Sequence, residues 1–157
     1  MQILLRPLHI SLDREKLYFL KEKLLDTTYH GWSIDSDAPE STDCVTALRY
    51  LLRYSSDFVL PHAYIWDLPH ILIQEKLCRI VSLSEAECGD LIFFEKMSKT
   101  HKKYMITHVG LMLDRDSFFH SSLLHNGSIS HIDDDEYMSS ILEESFLSLA
   151  RDPRHYA

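Results

Sequence analysis

The chain changes texture near Gly89, and that change limits its possible folds more than any other feature of the sequence. Ahead of it, apolar residues recur at helical spacing. Leu12, Leu17, Leu20, Leu24 and Leu25 are set among charged residues, which predicts an amphipathic helix over residues 11–27 with Ser11 as its N-cap. Residues 29–40 hold Gly31, Asp35, Asp37 and Pro39 and read as a loop. A second helix is expected to start at the capping residues 41–43 and to run through Val45, Leu48, Leu51 and Leu52 to about Tyr54. Pro61 and Pro69 mark a loop region, with a short helix over residues 68–77. Beyond Gly89 come LIFF, MITHVGLML and SFFHSS, short runs rich in Ile, Val and Phe that read as strands. Asn126-Gly127 signals a turn before a fourth strand at residues 128–132. The acidic residues 133–136 suit the start of a closing helix through Leu149. Helices first and a strand meander second predict an α+β fold, with helices packed on one face of a central antiparallel sheet.

No Pro/Gly/Ser-rich linker and no internal repeat divides the 157 residues, so the expectation is one domain spanning residues 1–157. The formal charge of −8, with no Lys/Arg cluster, argues against nucleic acid and anionic membrane surfaces as partners. A small substrate or a peptide-like polymer fits better. The apolar run at the start, Ile3 to Leu5, is cut off by Arg6 and Pro7, and no stretch approaches the roughly 20 apolar residues of a spanning helix. Neither a secretory leader nor a membrane span is expected, which predicts a cytoplasmic protein. Three cysteines, at 44, 78 and 88, form an odd, sparse set that fits reduced thiols better than a disulfide framework.

Among these cysteines, Cys44 stands apart because it falls at the predicted start of the second helix, directly after Asp43. Unpaired N–H groups at a helix start stabilise a thiolate, the nucleophilic form, and such sites lower a thiol pKa when a cation is also near. A histidine from elsewhere in the chain would complete the pair and protonate a leaving amine. His108 lies inside an apolar strand candidate, and His120 follows at the end of the next one. Two antiparallel strands joined by a tight turn at residues 114–116 can set the two rings side by side. His120 would then hold His108 in the required tautomer, the third role in triad logic.

The run Thr42-Asp43-Cys44 with its Leu/Tyr-rich helix resembles the Asp-Cys-Ser-Gly helix start of NlpC/P60 cysteine peptidases. Cys88-Gly89-Asp90-Leu91-Ile92-Phe93-Phe94 is similar to their Pro-Gly-Asp-Leu strand, and Thr107-His108-Val109-Gly110-Leu111 to their His-Val-Gly-Ile strand. Phe118-Phe119-His120-Ser121 resembles the strand bearing their third catalytic residue. Upstream, the stretch from Tyr29 to Trp32 resembles their Tyr/Trp/Gly segment, and Leu60-Pro61 the Leu-Pro after the nucleophile helix. The resemblance covers residues 29–132 in the family's Cys–His–His order. It implies a papain-like fold, catalytic roles for Cys44, His108 and His120, and hydrolysis of amide bonds in bacterial cell-wall stem peptides, of the γ-D-glutamyl–diamino acid type. Val45 and Thr46 replace the family's small Ser-Gly pair, Trp32 lies one residue later than usual, and the second Gly of that stretch is missing. Permuted acyltransferase relatives place histidine before cysteine, the opposite of the order here.

Each candidate has a plainer reading beside it. Tyr29 supports the site, as the family's upstream tyrosine does, or simply packs in its loop. Asp43, Trp32 and Trp66 line the substrate cleft, or the aromatic pair serves packing alone. Cys78 and Cys88 read as apolar filler, and Asp90 as the fastener of a turn. The acidic residues 133–136 lack the spaced ligands of a calcium loop. Cys78 and Cys88 are too far apart in sequence for a zinc Cys-x₂₋₄-Cys pair, so neither metal nor other cofactor is expected. No Gly-x-Ser-x-Gly elbow or phosphate-cradling loop occurs. Two hypotheses remain: a hydrolase working through a thiol acyl-enzyme, and the same fold without hydrolysis, serving either amide or acyl transfer or peptide binding without turnover.

Overall fold

The computed structural model describes residues 2–29, 41–98, 102–122 and 126–132. Trp32, the acidic residues 133–136 and the closing helix expected through Leu149 lie outside them. In chain order the elements are β1 (Gln2–Pro7), α1 (Arg14–Leu24), β2 (Thr28–Tyr29), β3 (Ser41–Thr42), α2 (Cys44–Ser55), α3 (Leu68–Gln74), β4 (Cys78–Val81), β5 (Leu91–Ser98), β6 (Lys103–Met112), β7 (Ser117–Ser122) and β8 (Asn126–His131). Six strands form an antiparallel sheet in the order β4-β1-β5-β6-β7-β8, and β2 pairs in parallel with β3. The arrangement is α+β, as the sequence pattern predicts. Among the described residues, no helix is long and apolar enough to cross a membrane.

The simple succession of helices and then strands needs correction at two elements. β1 opens the chain and sits between β4 and β5, and β4 forms an edge before the meander begins. β1 escapes a pattern reading because it is buried on both faces: Leu4 and Leu5 are each 1% exposed, so its apolar residues run together instead of alternating. Leu5 faces one core with Leu91, Phe93, Val109, Leu111 and Phe119, where α1, α2 and α3 pack through Leu17, Leu24, Leu48, Leu51 and Leu72. Leu4 faces a second, smaller core with Ile92, Phe94, Met112 and Phe118. Alternate side chains of each strand thus serve opposite faces of one sheet.

Local chemistry fixes the helix ends. α1 starts later than the periodicity suggests because Asp13, not Ser11, is the cap, its carboxylate accepting from the Lys16 amide at 3.1 Å. The Ser11 amide instead donates to Asp57 Oδ1 at 3.0 Å. α2 is buried along most of its length, including Arg49. That guanidinium donates from Nε to the Leu60 carbonyl at 3.1 Å and from Nη2 to the Pro61 carbonyl at 3.0 Å, tying the following loop back onto the helix. Asp90, 1% exposed, takes a two-pronged ion pair from Arg6 (Nε–Oδ1 2.8 Å, Nη2–Oδ2 3.0 Å) and the Glu87 amide at 2.9 Å. It fastens β1 to the turn before β5, the structural role the sequence suggests.

Asn126-Gly127 does not form the expected turn but begins β8. Asn126 does adopt the left-handed φ, 50°, that such a turn would require. Gly127 is required for a different reason: a Cβ there would lie 1.9 Å from the Leu24 carbonyl oxygen. This close approach lets the Asp26 amide donate to the Gly127 carbonyl at 2.7 Å and locks the end of α1 to β8.

Candidate active site

Asp43 and Cys44 mark the start of α2. Asp43 has extended backbone (φ −96°, ψ −178°), and its carboxylate accepts from the Thr46 amide at 2.7 Å. This is a buried N-cap, so the side chain expected to line the cleft has a helix-start function of its own. Cys44, the first helical residue, is half-buried against the helix-side core. Its thiol meets the backbone N–H of Val109 on β6, while the N–H groups of Cys44 and Val45 bear on it from the helix start.

These three amides favour a thiolate, as the helix-start argument requires. Burial and the neighbouring Asp43 carboxylate act the other way and prevail, pushing the Cys44 thiol up to about 12. The expected lowering is thus reversed in the resting protein. The cap that builds the helix also places a negative charge beside the sulfur.

β6 and β7 supply the histidines. Their backbones pair at Leu111↔Phe119 and Met112↔Phe118, next to the connecting turn. The turn is stapled by Asp114, whose Oδ1 accepts from the amides of Asp116 and Ser117, both at 2.8 Å. His108 and His120 share the face of Phe94 and Phe118, and both are buried, at 2% and 0% exposed. His108 Nε2 lies 3.0 Å from His120 Nδ1, with the rings edge to face. His120 Nε2 is in turn 2.7 Å from Ser130 Oγ and 3.4 Å from Ser128 Oγ, both on β8. The hairpin therefore brings the two histidines into direct contact, in the geometry their spacing allows.

Ser130 was not apparent from sequence. The signal it carried was a Ser-x-Ser alternation in the last strand, which puts Ser128 and Ser130 on one face. Only the register Phe118↔Ser130 and His120↔Ser128 reveals that this face is the histidine face.

Gly110 explains how the strands cross so closely. A Cβ there would meet Phe118 Cδ2 at 2.6 Å, the Phe119 carbonyl oxygen at 3.1 Å and Ile92 Cγ2 at 3.2 Å. The glycine two residues after His108 thus makes room for the aromatic side chain that precedes Phe119 and His120.

The remaining candidates lie on other elements. Tyr29 is half-buried and sits opposite Thr42 in the β2–β3 pair, two residues from Cys44, with its amide donating to Asn126 Oδ1 at 3.2 Å. Trp66 stacks face to face on Tyr64, ring centroids 4.5 Å apart, in the turn leading into α3. Cys78 is buried in the helix-side core, where burial pushes its thiol up to about 12, and Cys88 packs half-buried against the same core.

A cysteine at the start of a buried helix, packed on an antiparallel sheet that carries paired histidines, sits here within an α+β arrangement. The NlpC/P60 family model matches residues 27–145, and the chain belongs to that family. No curated protein sequence matches the chain. Among solved structures, it is similar to the NlpC/p60 domain of the peptidoglycan hydrolase SagA, with a TM-score of 0.55 and 18% identity over 77% of this chain and 91% of that one. It is also similar to a protein from Staphylococcus aureus subsp. aureus Mu50 described as similar to lipoprotein, NLP/P60 family, with a TM-score of 0.54 and 20% identity. That match covers 84% of this chain but only 41% of the staphylococcal one.

Proposed function

We propose that the protein is a thiol hydrolase that cleaves an amide bond in peptidoglycan stem peptides or in muropeptides released from them. Cys44 is the nucleophile, His108 the general base and acid, and His120 the group that orients His108. The observation that carries this reading is the 3.0 Å contact between His108 Nε2 and His120 Nδ1, on a strand whose next amide meets the Cys44 thiol. Family membership and the peptidoglycan hydrolase among the structural relatives support the substrate class.

His108 Nε2 is engaged with His120, so in this reading Nδ1 is the atom that takes the Cys44 proton. Because the resting thiol is neutral, its proton passes to His108 as the sulfur attacks, instead of leaving a thiolate standing beforehand. The S–C bond forms, and the carbonyl electrons move onto oxygen, where the Cys44 and Val45 amides at the helix start stabilise the charge. As the C–N bond breaks, His108 returns the proton to the departing amine. Water then attacks the thioester, giving one proton to His108, which restores it to the sulfur. Tyr29 and the Tyr64–Trp66 stack flank the substrate. The scissile bond is of the γ-D-glutamyl–diamino acid type.

The test is amine release from a γ-D-glutamyl–diaminopimelate peptide, followed by mass spectrometry. Wild-type protein should turn it over, and Cys44→Ala and His108→Ala should each reduce the rate by roughly 100-fold or more with the circular dichroism spectrum unchanged. Undiminished turnover in either variant would reject the assignment. One observation favours a second reading, a peptide-binding module without turnover: the thiol is pushed up to about 12 and so is little ionised at neutral pH. Saturable binding of the peptide by the wild type with no product would support that reading.

A further inference from the structure

The line of polar atoms does not end at His120. Ser130, 2% exposed, sets its Oγ 2.7 Å from His120 Nε2, and Ser128 Oγ approaches the same nitrogen at 3.4 Å. The chain His108–His120–Ser130 therefore has two self-consistent proton orders. In one, His108 Nε2–H donates to His120 Nδ1, and His120 Nε2–H donates to Ser130 Oγ. In the other, Ser130 O–H donates to His120 Nε2, and His120 Nδ1–H donates to His108 Nε2. A neutral His108 in the second order carries its proton on Nδ1 and has no lone pair there with which to take a proton from the Cys44 thiol.

We propose that Ser130 is a positioning residue that selects the first order: its Oγ accepts the His120 Nε2 proton, which leaves His108 Nδ1 bare and able to act as base. Two observations converge on it. Two serine oxygens face Nε2, and an N–H can be shared between two acceptors, whereas a single lone pair takes one donor well. In the hydrolase reading, moreover, the Cys44 thiol is held neutral by burial and Asp43 and gives its proton to His108 Nδ1, which must therefore be an acceptor. Ser130 stands opposite Phe118 in the β7–β8 register and reaches His120 diagonally, so the position of β8 controls the tautomer of a ring one strand away. The inference rests on the hydrolase reading for its purpose, but the tautomer can be measured in the resting protein without substrate.

Long-range ¹H–¹⁵N correlation spectra of ¹⁵N-histidine-labelled full chain, taken where both rings are neutral, read each nitrogen directly. Wild type should show His120 protonated at Nε2 and bare at Nδ1, with His108 protonated at Nε2. In Ser130→Ala, both His120 tautomers should appear, kcat should fall about tenfold and KM should stay within about twofold. Ser130→Thr, which keeps the hydroxyl, should restore both the tautomer and kcat. A wild-type His120 protonated at Nδ1, or a Ser130→Ala spectrum unchanged from wild type, would overturn the proposal. Should Ser130→Ala fail to fold, the wild-type spectrum and the threonine variant decide. The expected wild-type tautomers without any stem-peptide hydrolysis would support the relay and overturn the hydrolase reading, so the two fail separately.

Discussion

Asp43 and Cys44 act on each other in opposing senses. The carboxylate that caps α2 stabilises the helix by about 1 kcal/mol in typical cases, and the same charge, with burial, raises the thiol to about 12. The sequence shows the cap plainly, because Asp before a Leu-rich periodic run is a helix start by its local chemistry. It does not show how far the sulfur is withdrawn from water, since burial depends on β6 arriving from more than sixty residues away. A thiol raised above 9.0 is ionised less at any pH below its new value, so its reaction with an alkylating agent should be slow near neutrality and climb as pH rises. In His108→Ala, iodoacetamide labelling of Cys44 should increase by roughly tenfold per pH unit between pH 8 and 11, with no plateau in that range. Intact-mass kinetics measure this, and a plateau below pH 9 would show that the helix amides outweigh burial after all.

At the scale of elements, the β6–β7 hairpin makes the site. The Asp114 turn is local and readable, which is why a spacing of twelve residues was enough to suggest that His108 and His120 become neighbours. What joins this hairpin to α2 is the core shared by Leu48, Leu51, Val109 and Phe119, a non-local property with no sequence signal. Gly110 sits at the hinge of this arrangement. Gly110→Ala would press a methyl group against the Phe118 ring and against the Phe119 carbonyl, which cannot move without shifting β7 and with it His120. The expected result is a loss of about 1–3 kcal/mol in stability by denaturant titration, together with reduced turnover from a displaced His120. Unchanged stability and unchanged kcat would mean that the strands are not held at this separation. The fourth strand forms as expected, but it starts earlier, because Asn126-Gly127 has turn chemistry while its glycine serves a backbone crossing with the end of α1.

Across the whole molecule, the α+β class was readable because helical and strand periodicities occupy different halves of the chain. The position of β1 was not. A strand buried on both faces loses the alternation that identifies strands, and its neighbours β4 and β5 lie more than seventy residues further along. That insertion completes the sheet whose one face carries the helices and whose other face carries the histidines. Cys44 packs on the helix face, where the Val109 amide bears on its thiol. The proposed hydrolase works by acyl transfer to the Cys44 sulfur. Acid-quenching wild-type protein during turnover of a γ-D-glutamyl–diaminopimelate peptide and mapping the adduct by mass spectrometry tests this. The predicted result is a γ-glutamyl thioester on the peptide containing Cys44, absent in Cys44→Ala. Product release with no adduct on Cys44, and undiminished in Cys44→Ala, would contradict it.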